Sequence, residues 1–152
     1  MRKEITYREI KEKDSASLCA LLPAVGKETA AQIIKESILG RREKRFVAVN
    51  AERVVAHINA EFSGEPYAHI AELRSLVVLP EYRGQGIAHT LYSHALAVLG
   101  KEKEIAIARV RTTNTPSIKL HEKLGFKEIG KMEKGWKQNG KQADILIFSR
   151  EI

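Results

Sequence analysis

Apolar positions along the chain recur with two different spacings, and each spacing predicts a different kind of element. Alternating or continuous apolar runs predict strands near residues 5–10, 46–49, 54–62, 67–79, 105–110, 126–132 and 142–149. Apolar residues three and four positions apart predict helices at about 27–39 and 86–99. Asp14 is the expected N-cap of a short helix, and a fourth helix should begin at Asn114 or Thr115 and end at Gly125. The pattern predicts a mixed α/β domain.

The connections between these strands predict how they pair. The strands between residues 46 and 79 are joined by short turns, which favours an antiparallel meander. The segment 67–110 reads strand, helix, strand, which is typical of a parallel pair. Its first strand, ended by Pro80, is expected to be the longest in the sheet.

One irregularity interrupts that long strand. Ala71 and Leu73 are apolar in one phase of the two-residue alternation, whereas Leu76 and Val78 are apolar in the other. An extra residue in the strand produces such a phase slip, so we expect a β-bulge near residues 74–76. Bulges often lie beside binding sites.

Composition limits the class of protein and its setting. With 152 residues, 43% of them apolar and 30% charged, the sequence predicts one globular domain over residues 1–152. The chain has no apolar run that would span a bilayer and no signal-like N-terminus, so we expect no membrane contact. The only cysteine, Cys19, excludes an internal disulfide, and these features together predict a cytoplasmic protein.

The net charge favours an anionic partner. Lysine and arginine number 26 against 19 acidic residues, which gives a net charge of +7. Nucleic acid, a membrane surface or a polyphosphorylated cofactor would each fit this charge. Aromatic residues make up 6% of the chain and are not interleaved with the basic ones, so we do not expect nucleic acid as a partner.

The segment 76–88 has the features of a phosphate-binding loop. It runs from the apolar end of a strand through Arg83, Gly84 and Gly86 to the start of a helix. Glycines leave the backbone N–H groups unhindered and a helix N-terminus attracts anions, so a pyrophosphate would suit this loop. Taken alone, the loop also fits a plain glycine-capped turn, or a dinucleotide fingerprint in which His89 replaces the third glycine.

Residues 83–88, Arg-Gly-Gln-Gly-Ile-Ala, resemble the Arg/Gln-x-x-Gly-x-Gly/Ala motif of the GNAT superfamily of N-acetyltransferases. Residues 114–126 are similar to the second signature of that family, which usually ends in Tyr-Glu-Lys-Leu-Gly-Phe. The resemblance implies the GNAT fold, a mixed and mostly antiparallel sheet of six or seven strands with a splayed parallel pair and about four flanking helices. It also implies an enzyme that uses acetyl-CoA and no metal.

The resemblance further implies a role for each matching residue. Backbone groups of Leu76, Val77 and Val78 would bind the pantetheine arm, and the Leu76 N–H would be the oxyanion donor. The pyrophosphate would be held by the loop residues Arg83, Gly84, Gln85, Gly86, Ile87 and Ala88. Further cofactor contacts would come from Asn114, Ser117 and Lys119.

Two glutamates are candidates for the base that deprotonates the acceptor amine. Glu72 lies four residues before Leu76, where some family members carry a catalytic glutamate. The alternative is that Glu72 is a surface residue paired with Arg74 or a lysine, and Glu61 is then the reserve candidate. His57 and His69 are interpreted as ordinary strand residues.

The chain departs from the family pattern at His121, where a tyrosine often serves as general acid. Helical spacing puts Ile118, His121 and Leu124 on one face, so His121 should point inward. Its imidazolium would protonate the leaving thiolate only if its pKa stays near 6 to 7. A neutral residue lining the pocket and a purely structural residue are the alternatives.

The acceptor is indicated only by the last hairpin. Residues 140–144, Gly-Lys-Gln-Ala-Asp, look like the corresponding stretch of phosphinothricin-type amino-acid acetyltransferases. We therefore expect direct acetyl transfer to a primary amine on a small or amino-acid-like acceptor. The alternative is a GNAT-fold module that binds acyl-CoA or nucleic acid without turnover, and a homodimer is possible.

Overall fold

The computed structural model describes residues 4–152, which contain a seven-stranded sheet with helices on both faces. The strands are β1 (Thr6–Glu9), β2 (Glu43–Asn50), β3 (Arg53–Phe62), β4 (Ile70–Val78), β5 (Ile105–Arg111), β6 (Lys127–Gln138) and β7 (Lys141–Glu151). The helices are α1 (Ser15–Leu21), α2 (Lys27–Leu39), α3 (Ile87–Leu99) and α4 (Thr115–Lys123). Within this described range, no helix has the length and apolar content needed to cross a membrane.

The sheet has the strand order β1-β2-β3-β4-β5-β7-β6. Strands β4 and β5 pair in parallel and the other neighbours pair antiparallel, which confirms the predicted mixed sheet with one parallel pair and four helices. The last strand, β7, lies between β5 and β6. The C-terminal hairpin therefore extends the sheet beyond the parallel pair.

Two apolar layers fix the sheet between its helices. One layer packs α1 and α2 against the sheet through residues such as Leu18, Ile34 and Val47. The other packs α3 and α4 against the opposite face and includes Phe46 and Leu91. Because Phe46 and Val47 are consecutive and both fully buried, a one-residue slip of β2 would exchange the two layers, so the register is strongly specified.

The parallel pair opens partway along its length. The register of β4 and β5 runs from Ile70–Ile105 to Leu73–Ala108, while β5 continues to Arg111 beside β7. Across β4 and β3, His57 pairs with Val77 and Asn59 with Arg74, so β4 carries one extra residue. Ser75 in this stretch has a φ of +56°. The predicted bulge is confirmed.

Two predictions about the strands were wrong. The strand expected to be longest, β4, has 9 residues, whereas β6 has 12. Residues 67–69, which were predicted to begin this strand, form a turn instead. Strand β4 therefore begins at Ile70, and His69 is not a strand residue. Strand β6 continues past its predicted end because a second bulge, between Met132 and Trp136, lets it stay paired with β7.

Asp14 occupies the expected N-cap position of α1, but its carboxylate does not cap that helix. It accepts hydrogen bonds from the Arg8 guanidinium at 2.7 and 2.9 Å and from the Lys11 N–H at 2.7 Å. Its side chain is 1% exposed. Burial by itself raises the pKa of Asp14, but the bonds from Arg8 and Lys11 outweigh burial and hold that pKa below its usual value.

We predict that Asp14→Asn destabilises the protein by about 2 kcal/mol at pH 7, because the partly exposed Arg8 guanidinium loses the charged partner that is buried beside it. The folded-state pKa of Asp14 lies below that of the unfolded chain, so its contribution is complete at neutral pH and is lost as pH falls through the folded-state value. Urea unfolding at several pH values measures the effect. The gap between the two proteins should begin to shrink below about pH 4.

Glu52→Gln is the control for this measurement. Glu52 pairs with Lys13 at 2.6 Å on the exposed surface, so its loss should leave the unfolding midpoint nearly unchanged. Equal effects of the two substitutions would contradict a special contribution from the buried pair.

Candidate active site

The opening between β4 and β5 contains two cavities that meet at the start of α4. The first has a volume of about 720 Å³ and lies among the end of β4, the glycine loop and α4. The second, of about 450 Å³, lies over β4 and β5 and reaches β6. Asn114 and Ser117 line both cavities. A molecule in the first cavity can therefore reach a molecule in the second.

The bulge directs two backbone N–H groups of β4 into the first cavity. The Leu79 N–H donates to the Val55 carbonyl at 2.9 Å, so Leu79 and, two residues earlier, Val77 face β3. Leu76 and Val78 alternate with them and face the side where β5 has diverged. The Arg83 Nε donates to the Val78 carbonyl at 3.1 Å across this side. The Leu76 N–H is thus available to a ligand.

The glycine loop forms an open cradle at the N-terminus of α3. Gly84 and Gly86 have φ angles of +74° and +79°, and a Cβ built on either would meet no atom within 4 Å. Gly86 is the N-cap of α3, whose first-turn N–H groups have no partner inside the helix. A left-handed backbone beside a free helix N-terminus suits the phosphates of acetyl-CoA.

Ten of the twelve cofactor residues named from the sequence line the first cavity: Leu76, Val77, Val78, Arg83, Gly84, Gly86, Ile87, Ala88, Asn114 and Ser117. The other two do not line it, because the Gln85 side chain donates to the Glu81 carbonyl and Lys119 points to solvent. The lining also includes four residues that the sequence analysis missed: Tyr82, His89, Pro116 and Leu120. Helical spacing from Ser117 would have indicated Leu120 in place of Lys119.

Charged side chains from neighbouring strands line the second cavity. Glu72 on β4 is 3.2 Å from the Arg109 Nε and 3.8 Å from the Arg74 Nε. Both distances run to Oε1, which is buried and, in the part of the chain that the structure describes, is held by these two charges without a well-aligned hydrogen bond. Glu61 on β3 lies in the same cavity and binds Arg74 at 2.9 Å. The two glutamates predicted as candidate bases therefore lie on either side of Arg74.

Arg111 and Trp136 form the far wall of the second cavity. The Arg111 guanidinium lies over the Trp136 ring at 4.5 Å from the ring centre. Among residues 4–152, Arg111 forms no ion pair, unlike Arg74 and Arg109. Three guanidiniums and two carboxylates give the cavity an excess of one positive charge.

His121 is buried in the core below α4 and lines neither cavity. Its Nδ1 is 2.7 Å from the Ser117 carbonyl, so this nitrogen carries the proton, and the Tyr92 hydroxyl then donates to Nε2 at 3.0 Å. The ring also stacks on Phe148. Burial lowers the pKa of His121, and the bond to the Ser117 carbonyl offsets part of that effect. The residue is neutral near pH 7.

Within residues 4–152, His, Cys, Asp and Glu side chains do not gather in the groups of three that hold a metal ion. The polar groups of the site are instead backbone N–H groups, carboxylates and guanidiniums. This is the chemistry of an anion cradle next to a charged cavity.

Comparison with known proteins agrees with this geometry. The model of the acetyltransferase (GNAT) family matches residues 12–126. An N-alpha-acetyltransferase of Saccharolobus solfataricus is 34% identical over 112 residues, which are 66% of this chain and 66% of that protein. A spermidine N(1)-acetyltransferase of Vibrio cholerae is 26% identical over 118 residues, 75% of this chain and 66% of that protein. The chain thus aligns with about two thirds of the length of these relatives.

A solved structure supports the same fold. A putative acetyltransferase from Salmonella typhimurium, crystallised with acetyl-CoA, superposes with a TM-score of 0.84 at 20% identity and covers 97% of this chain and 93% of its own. The family match extends over most of the described residues. The chain therefore belongs to the GNAT family of acetyltransferases, whose acetyl donor is acetyl-CoA.

Proposed function

We propose that this protein transfers an acetyl group from acetyl-CoA to the primary amine of a small, amino-acid-like acceptor, directly and within a ternary complex. The observation that carries the proposal is the pair of cavities joined at Asn114 and Ser117. The cavity beside the glycine loop suits the donor, and the charged cavity suits the acceptor. Direct transfer needs both molecules bound at once with their reacting atoms in contact.

The donor would lie along β4 with its phosphates in the loop. Backbone N–H groups around Gly84 and Gly86 would bind the pyrophosphate, and the strand edge at Val78 would bind the pantetheine arm. The Leu76 N–H would then face the thioester oxygen and stabilise the negative charge that develops there. Asn114 lines both cavities and would contact the donor near the thioester.

The acceptor amine must lose a proton before or during attack. Glu72 is our first candidate for this base, because it lines the acceptor cavity on the strand that carries Leu76, and the Arg109 Nε holds its carboxylate there at 3.2 Å. The amine nitrogen forms the new bond to the carbonyl carbon, the C–S bond breaks, and the proton passes to the carboxylate. Glu61, held by Arg74, is the reserve.

The departing thiolate also needs a proton. A direct acid role for His121 requires a protonated ring nitrogen that faces the sulfur, yet both nitrogens are bonded inside the core. We infer that neutral His121 supports the first turns of α4 at Ser117 and that the thiolate takes its proton from water. If His121→Phe lost the alkaline limb of the pH–rate profile at unchanged acetyl-CoA affinity, His121 would be the acid instead.

The guanidiniums favour an acceptor with an anionic group beside its amine. Among residues 4–152, Arg111 has no ion-pair partner and its guanidinium lies over Trp136, an arrangement that suits two parallel bonds to a carboxylate. A polyamine such as spermidine, named for the Vibrio relative, carries only positive charge and would enter a cavity whose three guanidiniums outnumber its two carboxylates. The resemblance of residues 140–144 to amino-acid acetyltransferases supports the same class.

We predict that α-amino acids are acetylated more efficiently than their own primary amides, by about tenfold or more in kcat/KM, because the amide cannot form the charged pair with Arg111. Thiol release from acetyl-CoA with a panel of amino acids, their amides and polyamines measures this preference. Arg111→Met should remove the preference. Arg41→Met, at an exposed site outside both cavities, should keep it.

Two outcomes of this panel would contradict different parts of the proposal. If calorimetry shows tight acetyl-CoA binding but no amine causes thiol release, the proposed catalytic activity is wrong and the protein is a binding module. Turnover that is equal for acids and amides would overturn the amino-acid-like acceptor alone.

We predict that Gly86→Val weakens acetyl-CoA binding at least tenfold, which is about 1.4 kcal/mol, because a side chain would fill the cradle where the phosphates lie. Calorimetry with acetyl-CoA measures the change. Gly140→Val is a matched control, since Gly140 also has a positive φ, of +76°, and open space around its Cβ, but lies in the last hairpin. If a folded Gly86→Val variant binds acetyl-CoA with unchanged affinity, the phosphates do not lie in this loop.

We predict that Glu72→Gln lowers the rate about 100-fold near pH 7, because the amide keeps the shape of the side chain and loses its basicity. The rate should recover partly at higher pH, where more of the acceptor is free amine. Steady-state kinetics across pH for Glu72→Gln and Glu61→Gln measure the effect. If only Glu61→Gln lowers the rate, the base is Glu61 and not Glu72.

A further inference from the structure

We propose that His57 is a positioning residue that aims the Leu76 N–H at the thioester oxygen. The proposal rests on the proposed function, because Leu76 matters as an oxyanion donor only if acetyl transfer occurs. It revises the interpretation of His57 as an ordinary strand residue. His57 itself lines neither cavity and touches neither substrate site.

The contacts of His57 define which of its ring nitrogens carries the proton. The ring is fully buried in β3, with Nε2 3.0 Å from the Arg45 guanidinium and Nδ1 3.0 Å from the Ser75 carbonyl oxygen. A guanidinium only donates, so Nε2 accepts from Arg45 and the Nδ1–H donates to Ser75. Burial and the nearby Arg45 charge lower the pKa of His57 to about 4, so this neutral form persists at physiological pH.

The accepting carbonyl belongs to the bulged residue of β4. Ser75 has a left-handed φ of +56°, which a residue with a side chain rarely adopts. The ladder passes from Asn59–Arg74 to His57–Val77, so the extra residue has no strand partner. The His57 side chain supplies the hydrogen bond that the ladder does not give to this carbonyl.

Through the geometry of one peptide unit, this hydrogen bond sets the direction of an N–H group in the first cavity. The Ser75 carbonyl and the Leu76 N–H are the two polar ends of one peptide unit, which is planar and trans, so they point in opposite directions. A donor that fixes the carbonyl toward β3 also fixes the N–H toward the open side of β4. The same bond polarises the peptide unit and strengthens the N–H as a donor.

The position of His57 is supported in turn from β2. Arg45 is held by Glu43 through bonds of 3.0 and 3.1 Å, and Glu43 also accepts from Asn59 at 3.2 Å. Side chains from β2 and β3 thus connect to a backbone atom of β4 by bonds with fixed geometry. This network uses charged groups with little exposure, because both members of the Glu43–Arg45 pair are at most 15% exposed.

Two substitutions at His57 separate positioning from packing. His57→Asn and His57→Leu both lose the contact with Arg45, but only asparagine keeps a side-chain donor near the position of Nδ1. With acetyl-CoA and the best amino acid of the panel, kcat should fall at least tenfold in His57→Leu and stay within about threefold of the parent in His57→Asn. The affinity for free coenzyme A, which has no thioester oxygen, should change less than threefold in both. His69→Leu, outside the network, is the matched control.

Unchanged kcat in His57→Leu, or equal losses in both variants, would overturn the proposal. If neither variant folds, NMR of the parent protein tests it, since the His57 Nδ1–H should exchange slowly and show scalar coupling to the Ser75 carbonyl carbon. Absence of that coupling would also overturn it. Failure of the acetyltransferase proposal is recognised separately, because the parent would then release no thiol with any amine.

Discussion

Strands β4 and β5 stop pairing after Leu73 and Ala108, and both cavities depend on this separation. A continuous parallel pair would use the backbone groups of residues 74–78 in its own ladder. Because β5 turns away with β7, those groups remain available to a ligand while β4 is still held by β3 on its other edge. A sheet that is rigid on one side and open on the other gives backbone donors fixed directions, which oxyanion stabilisation requires.

Two bulges border the second cavity, and a polar side chain holds each of them. In β4, His57 binds the carbonyl of Ser75. In β6, Asp144 of the neighbouring strand accepts a bond from the Lys134 N–H at 2.9 Å, and Lys134 has a φ of +54°. The second bulge brings Gly135 and Trp136 to the cavity wall. Irregular backbone is thus stabilised by side chains from adjacent strands, and the shape of the site depends on these bonds as well as on apolar packing.

Among the described residues, the charges of the second cavity leave one cation, Arg111, without an ion pair. Glu61 and Glu72 partner Arg74 and Arg109, whereas Arg111 has an aromatic ring as its neighbour. A carboxylate between two guanidiniums would hold the positive end of an acceptor, and an unpaired guanidinium would hold its negative end. Under the proposed function, this cavity would distinguish acceptors by the sign of the group next to the amine.

The sequence by itself predicted the order and type of most elements and the β4 bulge, because these depend on local spacing. The residues that line the first cavity were named from the resemblance of the glycine loop and α4 to family motifs, and glycine tolerates the positive φ that the loop adopts. It did not determine which groups face each other. That His121 would turn into the core against Tyr92, that Asp14 would bind Arg8 instead of capping α1, and that His57 would reach Ser75 were decided by tertiary structure. The His121–Tyr92 and His57–Ser75 contacts join elements far apart in the chain, and the Asp14–Arg8 contact joins neighbouring ones. In each case a buried polar group bonds to the partner that the packed sheet and helices place beside it.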